Sequence, residues 1–225
     1  MITVHYLGVS QSERITWLFE ELGIPYKPAS LKDLPGNDTG KAPFIEDSDA
    51  NITLSESAAI CDYVIHQYAD GRLAAKPGDK HYADYLYWFH HENSNLQPAM
   101  VQAMYMRFVE DKESPTMQIM KSRFDMSMRN IDDKFKDNKW LAGEEFTAAE
   151  IMSVYSLTTQ RYYTPVGLGD YKNILRWLGD CSNRDAYKRA MEKSDPEMKL
   201  LLSAEAPEKS LLETNGVTSN LWKRE

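Results

Sequence analysis

The sequence changes character about a third of the way along, and this change restricts the fold more than any other feature. Before it, alternating β-branched segments are interleaved with amphipathic ones, in the order β-α-irregular-β-β-α. After the Pro- and Gly-containing linker at 75–80, no convincing strand occurs. We therefore predict an α/β domain over residues 1–74 and an all-helical domain over 81–202. Residues 203–225 lose periodicity and predict a loosely held tail.

Local signals give the first elements of the α/β domain. Ser10 and Glu13 have the spacing of a capping box, which predicts a helix that begins at Ser10 and ends at Gly23. Residues 27–41 are rich in Pro, Gly, Asp and Asn and carry no pattern. Short apolar pieces within 44–54, separated by a turn-like stretch, predict a hairpin.

The helical part contains a second and stronger helix-start signal. Thr147 and Glu150 form a capping box, and Phe146 and Ile151 flank it as a hydrophobic staple. We predict a helix beginning there.

Composition excludes several classes of protein. The chain has 26 Lys and Arg against 34 Asp and Glu, a net charge of −8, which disfavours a nucleic-acid partner. Cys61 and Cys181 lie in no metal or redox motif, so we expect no zinc site, no disulfide framework and a reducing, cytoplasmic location. No positively charged, apolar leader begins the sequence, and no apolar run is long enough to span a membrane.

Three short motifs in the α/β domain could carry chemistry, although each has a purely structural interpretation. Ser10 is either a helix cap or a hydroxyl beside the positive end of a helix dipole. Pro43, after Lys41 and Ala42, is either a turn residue or a cis-proline that exposes the preceding backbone to an extended ligand. Glu56 and Ser57 either cap a helix or form a clamp for an α-amino acid group.

Two other features favour packing over chemistry. The adjacent pair His90-His91 points about 100° apart on a helix and has no further ligand at the right spacing, so we expect no metal site. Cys61 falls on the apolar side of a predicted helix and is expected to be a buried packing residue.

Several segments together resemble one family. They are Leu7-Gly8-Val9-Ser10-Gln11-Ser12-Glu13-Arg14, the helix from Tyr85 through Gln97-Pro98, Trp140-Leu141-Ala142-Gly143 followed by the second capping box, and Arg184-Asp185-Ala186-Tyr187. In this order the segments resemble glutathione transferases, specifically the fungal and bacterial serine-type forms. The resemblance covers nearly the whole chain.

The resemblance implies a fold and a set of functional residues. The first domain would be thioredoxin-like and bind glutathione, and the helical domain would hold the second substrate. Ser10 matches the serine that hydrogen-bonds the glutathione sulfur, with Ser12 beside it. Ala42 and Pro43 match the cis-proline site, Lys41 lies near the glycine carboxylate, and Glu56 and Ser57 match the clamp on the γ-glutamyl end.

The second-substrate pocket is assigned from the same resemblance. The family borders this pocket with a helix that here leads into a methionine-rich stretch containing Met104, Tyr105 and Phe108. Core packing is the simpler explanation of the methionines. The alternative is an adaptable apolar pocket that Tyr163 helps to close.

The chain departs from the family before the cis-proline. Between Tyr26 and Pro43 lie 16 residues, where relatives usually carry a longer segment with a helix. This shortening affects the glycine end of the glutathione site and suggests a specialised member that acts on a bulky substrate.

The resemblance predicts a homodimeric, glutathione-dependent enzyme that acts on apolar electrophiles. Attack by the glutathione thiolate would give a conjugate. The alternative is a cis–trans isomerase of secondary metabolism, in which the thiolate adds reversibly to a conjugated alkene and then leaves. A non-catalytic binding protein on the same fold is the third possibility.

Overall fold

A computed structural model describes residues 1–30 and 40–224. It confirms a thioredoxin-like α/β domain followed by an all-helical one. The first domain consists of β1 (Ile2–Tyr6), α1 (Glu13–Leu22), β2 (Tyr26–Ser30), β3 (Phe44–Asp47), β4 (Ile52–Ser55) and α2 (Ser57–Tyr68).

The second domain is built from helices alone. They are α3 (Tyr82–His91), α4 (Gln97–Met106), α5 (Pro115–Asp137), α6 (Ala148–Leu157), α7 (Lys172–Ser182) and α8 (Asp185–Ser194). A π-helical turn, Glu92–Leu96, joins α3 to α4, and a 3-10 turn, Thr159–Tyr162, follows α6. Across the described residues, no helix is both long and apolar enough to cross a membrane.

The four strands form one sheet in the order β2-β1-β3-β4. β1 pairs with β2 in parallel and with β3 antiparallel, and His5 lies opposite Phe44. Phe44 in turn lies opposite Ser55 of β4. The end of β1, the start of β3 and the end of β4 therefore meet at one edge of the sheet.

The irregular prediction for residues 27–41 is wrong over its first part, because β2 forms there. This strand was hard to detect because it is an outermost strand of the sheet and contains Pro28, which cannot donate a ladder hydrogen bond. Residues 31–39 of the shortened segment lie outside the described residues.

The predicted capping box at the start of α1 is also wrong. The helix begins at Glu13 and not at Ser10, and the residue before it, Ser12, makes no side-chain cap. Glu13 is buried and accepts hydrogen bonds from Thr158 and Thr159 of the second domain. The end of the helix is as predicted, because Gly23 adopts a left-handed conformation with φ of 65°.

Helix α1 is buried against the helical domain. Trp17 packs on Phe146 and Tyr187, with ring centroids 5.4 and 4.9 Å apart. Nearby, Arg184 forms an ion pair with Glu21. The two domains therefore share one hydrophobic core.

The second capping box is confirmed. The Thr147 hydroxyl accepts a hydrogen bond from Ala149 N at 3.3 Å, and Glu150 Oε2 accepts one from Thr147 N at 2.9 Å. Both residues are buried. A local pattern determines the structure here because its partners are all within the same turn.

The C-terminal tail has no long helix but is not loosely held, which corrects the expectation from sequence. Buried Arg161 donates to five backbone carbonyls, those of Val166, Leu201, Ser203, Ala204 and Glu205. Further along, Leu211 is fully buried and Lys199 N donates to Trp222 O at 2.8 Å.

We expect Arg161→Lys to lower the free energy of unfolding by about 2–4 kcal/mol, because one ammonium cannot replace a five-donor guanidinium and leaves several backbone carbonyls without their donor. Urea denaturation measures the loss, and limited proteolysis should then cut within 203–224. The control is Arg176→Lys, an exposed arginine that also donates to backbone carbonyls. Equal losses in the two variants would contradict this role for Arg161.

Candidate functional site

The three motifs singled out in the sequence come together at one edge of the sheet. The loop after β1 carries Ser10 and Ser12, and the Ala42–Pro43 bond directly before β3 is cis, as one interpretation required. Glu56 directly follows β4 and precedes α2. The strand register places these segments side by side.

Ser10 is half-buried, and its hydroxyl has two oxygen neighbours. Its Oγ lies 2.6 Å from Leu7 O and 2.9 Å from Ser12 Oγ, and it accepts a hydrogen bond from Ser12 N at 3.1 Å. A hydroxyl has one proton to donate. Donation to a ligand therefore requires Ser10 Oγ to turn its proton away from Leu7 O.

The start of α2 presents an anion-binding arrangement. Glu56 is exposed and has φ of 71°, while Ser57 is buried at the first position of the helix. Free amides and the helix dipole favour a negatively charged group there. Lys41, an exposed cation, lies directly before Ala42 on the same edge of the sheet.

The sequence analysis missed Arg14, which connects the parts of the site. Its guanidinium donates to Ser57 Oγ at 3.2 Å, to Gln11 Oε1 at 2.9 Å and to Gln97 Oε1 at 3.1 Å. It also forms a buried ion pair with Glu92. An arginine within the apolar stretch of α1 was the available signal, since a buried charge needs a partner.

Burial perturbs the carboxyl groups behind the site. Desolvation raises the pKa of Glu92 to about 7, even though the Arg14 charge acts in the opposite direction. Desolvation likewise raises the pKa of Glu13 to about 7, against the hydrogen bond from Thr159. Glu13 directly follows the loop that carries Ser10, and Glu92 forms its ion pair with Arg14, the next residue of α1.

The helical domain contributes the other side of the site. Helix α4 starts at Gln97, beside Gln11 and Arg14. One turn along, Met100 O accepts a hydrogen bond from Thr164 Oγ1 at 3.1 Å. Met104 follows on the same face of the helix, which rises 1.5 Å per residue.

The remaining predicted pocket residues fall into two groups. Tyr105, in the last turn of α4, and Phe108, two residues after it, have 58% and 53% of their surface exposed. Tyr163 instead uses its hydroxyl to donate to Val9 O at 2.9 Å. The structure thus places Tyr163 against the Ser10 loop.

Other candidates from the sequence are accounted for. Cys61 is fully buried beside Met152, and burial raises the pKa of its thiol to about 12, so it is a packing residue as expected. Residues 1–30 and 40–224 contain no group of three or more His, Cys, Asp or Glu side chains that could hold a metal ion.

Family models match both domains of the chain. Residues 4–72 match the N-terminal domain of glutathione S-transferase, and residues 96–185 match its C-terminal domain.

The chain belongs to the glutathione transferase superfamily.

Relatives support this assignment along nearly the whole length. Glutathione S-transferase 3 of Schizosaccharomyces pombe is 29% identical over 90% of this chain and 92% of that protein. A glutathione S-transferase structure from Actinobacillus pleuropneumoniae is 28% identical, with a TM-score of 0.76 over 87% of this chain and 93% of that one. A Phanerochaete chrysosporium transferase in complex with oxidised glutathione is 18% identical and shares the fold, with a TM-score of 0.70 over 87% and 96% of the two chains.

The raised pKa of Glu13 predicts a pH-dependent cost to stability. Folding favours the protonated acid, so the unfolded chain releases this proton from about pH 4.5 upwards while the folded chain keeps it until about pH 7. The free energy of unfolding of the wild type therefore falls across this range, and the stability advantage of Glu13→Gln over wild type should grow by about 1–3 kcal/mol between pH 5 and pH 8. Urea denaturation at several pH values measures the gain.

The control for this experiment is Glu144→Gln at an exposed carboxylate. It should leave the pH dependence of stability as in the wild type. If Glu13→Gln shows no gain at pH 8, the carboxylate is as stable in its buried site as in water.

Proposed function

We propose that this chain is a glutathione-dependent enzyme that uses Ser10 to activate a thiol toward an electrophilic carbon of an apolar small molecule. The observation that carries the proposal is the meeting of the Ser10 loop, cis-Pro43 and the start of α2 at one sheet edge that faces α4. Membership of the superfamily, whose members use glutathione, supports it.

Residues at this sheet edge are proposed to bind the three parts of glutathione, each through a matching chemical group. The backbone of Ala42, exposed by the cis bond, is suited to pair with the cysteinyl backbone. Amides at Ser57 suit the γ-glutamyl carboxylate, and the Glu56 side chain suits its ammonium group. Lys41 is proposed for the glycine carboxylate.

Ser10 would act on the sulfur by hydrogen bonding. Glutathione supplies the nucleophilic sulfur, but an ordinary thiol has a pKa near 8.5 and is only a few per cent ionised at neutral pH. By turning its proton from Leu7 O to the sulfur, Ser10 stabilises the thiolate, and Ser12 N continues to donate to Ser10 Oγ. The start of α1 adds a positive potential.

The second substrate is proposed to lie along the end of α4. Tyr105 and Phe108 expose large apolar surfaces there, and half-buried Met104 follows the same helical face as Met100. Exposed apolar patches of this kind are typical of ligand-binding grooves. An apolar electrophile would therefore be held against the helical domain.

Three finer assignments are part of the proposal. Conjugation is the reaction we favour, and thiol-dependent cis–trans isomerisation in secondary metabolism is the alternative. We propose a cytoplasmic homodimer, since both cysteines are buried as free thiols and superfamily members typically dimerise.

We expect Ser10→Ala to retain glutathione binding within a few-fold but to lower turnover by about 10²-fold, because the sulfur loses its hydrogen-bond donor. Turnover is assayed with activated alkenes and aryl halides, and binding by calorimetry. The control is Ser48→Ala, which removes an exposed hydroxyl from the β3–β4 turn and should change neither. An unchanged rate in Ser10→Ala would transfer the role to Ser12.

Mass spectrometry of the products separates the possible reactions. A product heavier by glutathione shows conjugation, whereas an isomer of unchanged mass formed with catalytic glutathione shows isomerisation. If the wild type binds glutathione but converts no electrophile, the protein is a binding protein on this fold.

A further inference from the structure

The helical domain holds the peptide groups around Val9, next to Ser10, from both sides. Val9 N donates to Asp195 Oδ1 at 2.9 Å, and Val9 O accepts from the Tyr163 hydroxyl at 2.9 Å. Asp195 lies directly after α8, and Tyr163 follows the 3-10 turn after α6. Both contacts join residues more than 150 positions apart in the sequence.

Val9 has an unfavourable backbone conformation that these contacts stabilise. Its φ is +52°, which is rare for a β-branched residue and costs of the order of 1–3 kcal/mol. The residue is 2% exposed, so nearly all of its surface is covered by the rest of the protein. Such conformations persist when neighbouring structure determines them, and they concentrate at functional sites.

Asp195 fits closely against the same loop. It is 4% exposed, and a Cβ added to Gly8 would lie 2.7 Å from Asp195 Oδ1. Any side chain at position 8 would collide with this carboxylate. Glycine at that position therefore allows Asp195 to reach Val9 N. On the other side, the position of Tyr163 is held by Ser210 Oγ, which donates to Tyr163 O at 2.6 Å.

The Tyr163 contact acts directly on Ser10 through covalent geometry. Val9 O and Ser10 N belong to one planar peptide group. A hydrogen bond that fixes the direction of Val9 O therefore fixes the plane on which Ser10 N and Cα lie. The direction of the Ser10 hydroxyl depends on this plane and on the local hydrogen bonds with Leu7 and Ser12.

We propose that Tyr163 and Asp195 are positioning residues that clamp Val9 and thereby hold Ser10 in the orientation needed to stabilise a thiolate. This inference rests on the proposed function and deepens it. It assigns to the helical domain a part in activating the thiol, in addition to binding the second substrate. It also gives Tyr163 a role in addition to closing the pocket, the role that the sequence analysis expects of it.

The test compares Tyr163→Phe with Tyr162→Phe. Each variant loses one phenolic hydroxyl and no charge, but the Tyr162 hydroxyl donates to Lys199 O, just before the tail, and not to Val9 O. Glutathione is titrated with pH in the presence of each protein, and thiolate absorbance in the ultraviolet gives the pKa of the bound thiol.

We expect Tyr163→Phe to raise this pKa by about 0.5–1 unit, equivalent to a 3- to 10-fold lower thiolate-to-thiol ratio at a fixed pH. Its glutathione Kd should change less than 3-fold. Tyr162→Phe should leave the thiol pKa at the wild-type value. Equal thiol pKa values in Tyr163→Phe and Tyr162→Phe would overturn the proposal.

Hydrogen exchange of the protein without glutathione gives an independent readout. Backbone amides of residues 7–12 should exchange at least several-fold faster in Tyr163→Phe than in Tyr162→Phe. Asp195→Asn, which keeps an oxygen acceptor, should protect Val9 N better than Asp195→Ala. Unchanged exchange in Tyr163→Phe and Asp195→Ala would contradict the clamp.

The two readouts separate this inference from the proposed function. If the wild type binds no glutathione or shows no thiolate, the proposed function is wrong, and the role of the clamp in thiol activation fails with it. Faster exchange would then show a clamp that stabilises the loop alone. If the wild type forms a thiolate and Tyr163→Phe leaves the pKa of the bound thiol unchanged, only the present inference fails.

Discussion

The buried ion pair between Arg14 and Glu92 is the interaction on which the rest of the site depends. Both side chains are fully buried, so loss of either partner would leave an uncompensated charge, at a cost of about 3–5 kcal/mol. Arg14 also donates to Ser57 at the start of α2 and to Gln97 at the start of α4. One guanidinium therefore sets the distance between the proposed glutathione site and the helix proposed to bind the second substrate.

The Ser10 loop depends on both domains. Glu13, directly after this loop, is buried against Thr158 and Thr159, and Val9 is held by Tyr163 and Asp195. Sequence-local hydrogen bonds alone would leave the loop free to relax from the positive φ of Val9. The α/β domain supplies the residues proposed to contact the tripeptide, while the helical domain holds the backbone of the loop through hydrogen bonds.

Elements whose stabilising partners are close in sequence were predictable, and the others were not. The hairpin, the stop at Gly23 and the capping box at Thr147 follow from local patterns. Ser10 and Glu13 have the same spacing as that box, but long-range hydroxyl partners for Glu13 override it. Strand β2 is stabilised by pairing with β1, and the tail by Arg161, and neither contact leaves a periodic signal. The residues predicted at the sheet edge came from short motifs and a family resemblance, and the strand register brings their segments together. The apolar stretch around Arg14 was a signal that the sequence analysis did not use, whereas the contact of Asp195 with Val9 joins residues too far apart in sequence to leave one.

Tyr163 would connect the proposed substrate pocket with the proposed activation of the thiol. Its hydroxyl donates to Val9 O, the residue is half-buried, and the next residue, Thr164, donates to Met100 O of α4. An aromatic ring has two faces available for apolar contact even when its polar end is occupied. A substrate that displaces this ring would also move the peptide plane that carries Ser10. Changes in the helical domain that widen the pocket would therefore alter the reactivity of the sulfur as well as the choice of electrophile, unless the hydrogen bond to Val9 is retained.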